Sequence, residues 1–345
     1  HHQGRPVPED GYPGQYVADL AATYDGSDDV TEAGRWAAAR ILDGIRSTME
    51  SIHIHYDEWY SQASIEESDA VADTVEILAP LTVGGRASVS ADQVRLAAGV
   101  TAGETQIDAR SLVLGDGGRD VQIRGDLNLA VTGDLTTPGA VSVSGNTRLA
   151  ASGSVGLGGD VTVGGNLSVD AVADIHATGR LTAGGLMHLH AGQALNIADG
   201  VSAGALDLVA GRAVFGGDVA VLGDGSIVAG SLVLPDRMEA GGSLRIDTVG
   251  DLLSTGRVVA NGDLSLSAGG RLALAEGGAG GRADLPARGG VLSIGNPFVA
   301  GQAVQLAGRD GVGTAVVQSG GDLGIVSSGG AVTTGALVAP GAVAV

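Results

Sequence analysis

Gly125-Asp126-Leu127-Asn128-Leu129, Gly145-Asn146-Thr147-Arg148-Leu149 and Gly165-Asn166-Leu167-Ser168-Val169 repeat one glycine-led unit every twenty residues. The unit returns at Gly185 and Gly204 and resumes after residue 240. A fixed period of this length is typical of a stacked array rather than of a globule with one central core. The repeat therefore decides the fold and makes a surface or spacer a stronger expectation than an enzyme.

Each repeat contains three short apolar-x-apolar triplets, at residues 127–129, 135–137 and 141–143 in the repeat that starts at Gly125. Both apolar residues of such a triplet lie on one face of a strand. We therefore predict a mainly β fold, a right-handed parallel β-helix with three strands per coil of about 20 residues, over residues 80–345. Equivalent residues should stack inside it as a ladder of Leu127, Thr147, Leu167 and Met187.

The corners between strands are rich in Gly-Asp and Gly-Asn pairs. Glycine allows a positive φ, and an Asp or Asn side chain can cap its own turn. Asp126, Asn146 and Asn166 should occupy the same corner of three successive coils. Residues 276–288, with four glycines and Pro286, are predicted to leave the coil as a loop.

Residues 1–79 differ in composition, because all five tyrosines and both tryptophans precede residue 61. Asp29 followed by Glu32 predicts a helix start, and apolar residues continue at helical spacing to Trp59. A second capping signature at Ser64 predicts a shorter helix that ends near Val75. We therefore predict a helical hairpin, an insertion in the β-helix or a cap on it. Its aromatic side chains form a possible interaction surface: Trp36, Tyr56, Trp59 and Tyr60.

Composition limits the partners of the chain. It has no cysteine and no lysine, its 19 positive side chains are all arginine, and its formal net charge is −20. Such a surface repels phosphate backbones, so a nucleic-acid partner is not expected. A disulfide framework and a thiolate metal site are excluded.

We predict neither a metal nor a cofactor. His188 and His190 point to the same side of one strand, but two imidazoles without a nearby carboxylate make a weak metal site. His53 and His55 diverge around a helix, and one Asp-rich stretch near Asp116 does not repeat as calcium-binding nonapeptides do.

We also predict no enzymatic activity. Many parallel β-helices cleave polysaccharides, which requires clustered carboxylates in a groove built by long loops. Here the corners are short and the aspartates are spread along the array. A polysaccharide-active enzyme and a purely structural spacer are the alternatives to a solenoid surface that binds a receptor.

One short motif matches a known recognition sequence, since Arg124-Gly125-Asp126 is the tripeptide that integrins bind. Gly-Asp pairs recur at other corners, so the repeat itself accounts for Gly125 and Asp126. Arg124 is the residue that the repeat does not explain. We take Arg124, Gly125 and Asp126 as a candidate receptor-binding site.

The coils with Gly-Asp/Asn-Leu-x-Leu units, together with the acidic, cysteine-free composition, resemble the filamentous haemagglutinins, adhesins exported by two-partner secretion in Gram-negative bacteria. The resemblance covers residues 80–345 and includes the Arg-Gly-Asp tripeptide. It implies a segment of a secreted or cell-surface adhesin that attaches to host cells through an integrin or glycan receptor. It also implies an outer-membrane pore as the export partner. The family's secretion domain and basic heparin-binding clusters are missing, and the helical segment matches no repeat of that family.

Overall fold

The computed structural model describes residues 15–27, 29–51, 74–97, 99–115 and 119–345. The chain divides into two units, His1–Glu67 and Ser68–Val345. The described part of the first unit contains two helices, α1 (Gln15–Thr23) and α2 (Val30–Ser51). Within the described ranges no helix combines the length and the apolar character needed to cross a membrane.

Helix α2 begins where the capping signature predicts. The Asp29 carboxylate oxygen Oδ1 accepts hydrogen bonds from the backbone N–H groups of Thr31 at 2.7 Å and Glu32 at 3.0 Å. These bonds, that from Glu32 first, lower the pKa of Asp29 because they stabilise the ionised carboxylate. Tyr24 is buried against Trp36, with ring centroids 5.1 Å apart, and the Arg40 guanidinium lies 5.6 Å from the centre of the Trp36 ring.

The predicted second helix lies almost entirely outside the described residues. Residues 52–73, which include Tyr56, Trp59, Tyr60 and the second capping signature, lie outside the described residues. Thr74–Ile77 is a strand, so no helix extends to Val75. Its sequence has apolar residues at alternating positions, the period of a strand rather than of a helix.

The second unit is a parallel β-solenoid of about 13 turns. Its strands are β1 (Thr74–Ile77), β2 (Leu81–Thr82), β3 (Arg86–Leu96), β4 (Val100–Leu114), β5 (Val121–Val131), β6 (Leu135–Thr137), β7 (Val141–Val143), β8 (Thr147–Ala151), β9 (Val155–Leu157), β10 (Val161–Val163), β11 (Leu167–Ala171), β12 (Ile175–Ala177), β13 (Leu181–Ile197), β14 (Val201–Phe215), β15 (Val219–Val221), β16 (Gly225–Leu234), β17 (Arg237–Ala240), β18 (Leu244–Thr248), β19 (Leu252–Ala260), β20 (Leu264–Ala268), β21 (Leu272–Ala279), β22 (Ala283–Ala287), β23 (Val291–Ile294), β24 (Phe298–Ala300), β25 (Val304–Gly308), β26 (Gly311–Thr314), β27 (Val317–Ser319), β28 (Leu323–Ser327), β29 (Val332–Thr334), β30 (Leu337–Val338) and β31 (Val343–Ala344).

The predicted internal ladder is confirmed. Leu127 lies opposite Thr147 in the parallel pairing of β5 with β8, Thr147 lies opposite Leu167, and Leu167 lies opposite Met187. All four side chains are buried. The same alternation places apolar residues from Ala87 to Ile325 in one continuous core cluster. The stacking of coils buries this core.

Two boundaries differ from the predictions. The parallel pairing starts with β1, where Thr74 lies opposite Gln93, so the strands begin before residue 80. Residues 276–288 do not form a loop but continue the coils as the end of β21 and as β22. A Cβ at Gly277 would lie 2.6 Å from Leu274 Cδ2 and 2.9 Å from the Phe298 ring, so glycine leaves room for both side chains. Pro286 is accommodated because the pairing of β22 with β20 is interrupted beside it.

Candidate recognition site

The acidic corners hold successive coils together. Asp126 Oδ1 accepts a hydrogen bond from the backbone N–H of Asn146 at 2.7 Å, and Asn146 Oδ1 accepts one from the N–H of Asn166 at 3.0 Å. Asn166 Oδ1 in turn accepts from the N–H of Leu186 at 2.8 Å. The three residues share one corner, as predicted. Each caps the following coil rather than its own turn, which corrects the expected role of these side chains.

The same cross-coil cap recurs at other corners. It is made by the carboxylates of Asp134, Asp160, Asp174, Asp224, Asp251, Asp263 and Asp322. Each accepts a backbone N–H that lies 19 or 20 residues further along the chain. Many aspartates of this acidic chain therefore stabilise its coils.

Gly125 is required at the corner by its backbone geometry. Its φ is +114°, and a Cβ there would lie 2.3 Å from the carbonyl oxygen of Ala102. Its N–H donates to the Ser144 hydroxyl at 3.0 Å. Gly125 and Asp126 thus have structural roles within β5. These roles account for the two residue types without any binding to a receptor.

Arg124 stands apart from these roles. It is exposed on β5, opposite Thr101 of the neighbouring strand. Among the described residues we find no ion pair or hydrogen bond of its guanidinium group. Asp126 remains half-buried beside it, and its second carboxylate oxygen, Oδ2, makes no hydrogen bond to the described chain. The tripeptide is therefore presented on a strand, with Arg124 as its accessible cationic member.

A groove of about 960 Å³ runs across six coils on the solenoid surface. One outward-facing ladder runs along it, because the parallel pairings align residues at equal positions in successive coils. In order along the axis, this groove ladder consists of Ser90, Asp108, Ala130, Ala150, Asp170 and His190. The two central alanines have the smallest side chains of the ladder and leave its middle shallowly recessed.

The two carboxylates of the groove ladder have different surroundings. Asp108 Oδ2 accepts a hydrogen bond from Gln106 Nε2 at 2.9 Å, and no cation of the described chain lies within ion-pair distance of Asp108. Asp170 Oδ2 accepts from the Ser168 hydroxyl at 3.2 Å and lies 3.8 Å from the Arg148 guanidinium. The repeat pattern of the sequence does not indicate this groove or its carboxylates.

Histidines surround Asp170 at one end of the groove. His188 Nδ1 lies 3.0 Å from Asp207 Oδ2, and His188 Nε2 lies 3.7 Å from Asp170 Oδ1. His190 Nδ1 lies 3.9 Å from the same Asp170 oxygen. The expectation that these histidines lack a nearby carboxylate is wrong, because parallel pairing brings aspartates from both neighbouring strands beside them. Across the described ranges, no three His, Asp or Glu side chains are placed to hold a metal ion.

Of the predicted aromatic surface, the structure describes Trp36 alone. Trp36 is half-buried between Tyr24 and Arg40 on the first unit. Tyr56, Trp59 and Tyr60 lie outside the described residues.

Comparison with known proteins identifies the repeats but assigns them no function. A family described as repeats of unknown function (DUF5649) matches residues 102–160 and 155–198. The matched coils include the Arg124–Asp126 corner and most of the groove ladder. No solved structure matches the chain significantly.

Three curated proteins share short stretches of similarity with the chain. They are arginine–tRNA ligases from Desulforudis audaxviator (33% identical over 84 residues), Frankia alni (33% over 85 residues) and Desulfosudis oleivorans (34% over 79 residues). The similarity covers 20–22% of this chain and 14–15% of those proteins. The chain thus spans about a seventh of the length of these relatives, which is too little to assign their activity to it.

Proposed function

We propose that this chain is a non-enzymatic segment of a secreted or surface-exposed bacterial adhesin, and that its solenoid attaches to host cells through exposed outward-facing ladders. The groove that crosses six coils is the observation that carries this proposal. It offers one continuous recessed surface to an extended ligand. A purely structural spacer has no need for such a surface.

The Arg124–Asp126 corner is the second contact in this proposal. The Arg124 guanidinium is exposed, and the Asp126 carboxylate keeps one oxygen without a partner in the described chain. An integrin that read the tripeptide would pair with the guanidinium and complete its own metal site with that oxygen. A glycan receptor would instead occupy the groove.

Export through an outer-membrane two-partner secretion pore fits the chain chemically. A chain without cysteine forms no disulfide that would stop it from threading a pore in an extended state. Each coil buries its apolar residues against the preceding coil, so folding can propagate coil by coil as the chain emerges.

The carboxylate spacing favours recognition over polysaccharide cleavage. Asp108 and Asp170 are three strand steps apart, which is about 14 Å at 4.7–4.9 Å per step. Paired carboxylates of glycoside hydrolases lie about 5–9.5 Å apart. The two carboxylates of the groove ladder are therefore too far apart to act together on one glycosidic bond, and the third carboxylate of the groove, Asp92, is paired with Arg110 at 3.2 Å.

The test is attachment of beads that carry the full chain to cultured epithelial cells. Ala130→Trp fills the middle of the groove, and Ser142→Trp places the same side chain on an exposed position of the same coil outside the groove. We expect Ala130→Trp to reduce attachment and Ser142→Trp to leave it unchanged. Arg124→Ala tests the second contact. If beads that carry the chain attach no better than uncoated beads, the proposed attachment function is wrong and the solenoid is a structural spacer.

A further inference from the structure

We propose that the groove binds an extended basic peptide segment, whose two cationic side chains, four residues apart, pair with Asp108 and Asp170. This inference rests on the proposed recognition function and names the chemical class of its ligand. It depends on three properties of the groove ladder: charge, spacing and the two small residues between the charges.

The charge of the groove favours a cationic ligand. The Arg110 guanidinium is paired with Asp92 at 3.2 Å, so these two groove residues neutralise each other. Asp108 has no cationic partner in the described chain. Arg148 lies 3.8 Å from Asp170, and His188 and His190 lie 3.7 Å and 3.9 Å from it; surface pairs at these distances are weak. The net charge of −20 adds a long-range attraction for cations.

The spacing of the carboxylates selects an extended chain along the solenoid axis. Three strand steps separate Asp108 from Asp170, about 14 Å. In an extended peptide, residues i and i+4 lie on the same face and are also about 14 Å apart, at 3.4 Å per residue. Two lysines at i and i+4 therefore match the two carboxylates.

The middle of the groove selects a small side chain at position i+2. Ala130 and Ala150 form its floor between the two carboxylates. The exposed hydroxyls of Thr132 and Ser152 line the same groove and can bond to the peptide backbone. In a lysine–x–alanine–x–lysine segment, the two lysines thus meet the two carboxylates and the alanine lies over the floor between them.

The proposal is tested by fluorescence anisotropy with the full chain and two labelled peptides at low salt. One contains Lys-Ser-Ala-Ser-Lys, with lysines at i and i+4. The other contains Lys-Ser-Ala-Lys-Ser, which has the same composition but places its lysines on opposite faces. An exposed ion pair contributes at most about fivefold in Kd, so the first peptide should bind about fivefold more tightly than the second.

Variants then locate the site. Asp108→Asn combined with Asp170→Asn should weaken binding of the first peptide by up to about 25-fold, the product of two such pairs. Asp284→Asn removes the same charge from an exposed strand position outside the groove and should change nothing. Ala130→Trp should block binding without altering charge. Circular dichroism of each variant confirms that the coils are intact.

Several outcomes would overturn the proposal. Equal affinity for the two peptides, or an equal loss in Asp284→Asn, would mean that bulk charge attracts the peptides. Binding of a neutral oligosaccharide in the groove, with neither peptide bound, would assign it to glycans. If Ala130→Trp abolishes cell attachment while neither peptide binds, the basic-peptide ligand is wrong and the attachment function stands. If the first peptide binds more tightly than the second but the chain does not attach to cells, the attachment function is wrong and the basic-peptide ligand stands.

Discussion

Substitution of Asp126 separates its structural role from a receptor role. In Asp126→Ala the backbone N–H of Asn146 loses the carboxylate oxygen that it meets at 2.7 Å. A hydrogen bond of this kind contributes about 1 kcal/mol where water can replace the lost acceptor. In Asp126→Asn an amide oxygen can take over, because Asn146 Oδ1 already makes the same bond to Asn166 at 3.0 Å. We therefore expect only the alanine variant to loosen the corner.

Hydrogen exchange at the Asn146 amide measures this difference. A loss of about 1 kcal/mol corresponds to roughly fivefold faster exchange in Asp126→Ala, with no change in Asp126→Asn. Equal acceleration in both variants would refute the cap. Integrin-dependent attachment requires the carboxylate, so Asp126→Asn should lose it while the corner stays intact. Retention of attachment in both Asp126→Asn and Arg124→Ala would exclude the tripeptide as the ligand.

Three further changes test how the coils are built. Gly125→Ala should lower the free energy of unfolding by about 1–3 kcal/mol in urea denaturation, because φ is +114° and a Cβ would lie 2.3 Å from a carbonyl oxygen. Gly156→Ala is the control. Its Cβ meets no atom closer than 3.9 Å, so the free energy of unfolding should hardly change. Thr147→Val should raise the free energy of unfolding by about 1 kcal/mol, since the buried Thr147 hydroxyl has no hydrogen-bond partner among the described residues and valine has the same shape. A destabilised variant would contradict this reasoning. Because the pKa of Asp29 is lowered in the folded chain, its cap stabilises α2 fully at pH values above the ordinary pKa of 3.8, and this stabilisation is lost as the pH falls through the lower folded-state pKa. The helical ellipticity at 222 nm should weaken over that acidic range. Asp29→Ala should remove this part of the response.

The period of the sequence was sufficient to predict the core of the solenoid. Alternation of apolar residues fixes which face of a strand is buried, and a constant repeat of twenty residues aligns Leu127 with Thr147 and Leu167. Helix α1 was not predicted, because its first turn has no acidic residue and its last turn no basic residue. Residues 276–288 were misassigned because glycine and proline suggest a loop, whereas Gly277 makes room for the Phe298 ring.

The groove could not be predicted from the repeat, because its ladder does not keep a constant spacing. Ser90 aligns with Asp108 after 18 residues, Asp108 with Ala130 after 22, and later steps take 20. A register shift between β4 and β5 accompanies the long step. The alignment of Asp108 with Asp170 depends on this shift, so a fixed period misplaces one of them.

The aspartates of the corners and those of the groove ladder have different structural roles. Corner aspartates such as Asp134 and Asp160 accept backbone N–H groups from the next coil, so the fold itself requires them. Asp108 and Asp170 lie instead in the outward groove ladder and cap no coil. A ligand bound in the groove should therefore respond more strongly to substitution of Asp108 and Asp170 than to charge removal at an exposed position outside the groove. Substitutions at corners such as those of Asp134 and Asp160 should act first on coil stability, and on binding in the groove only through it.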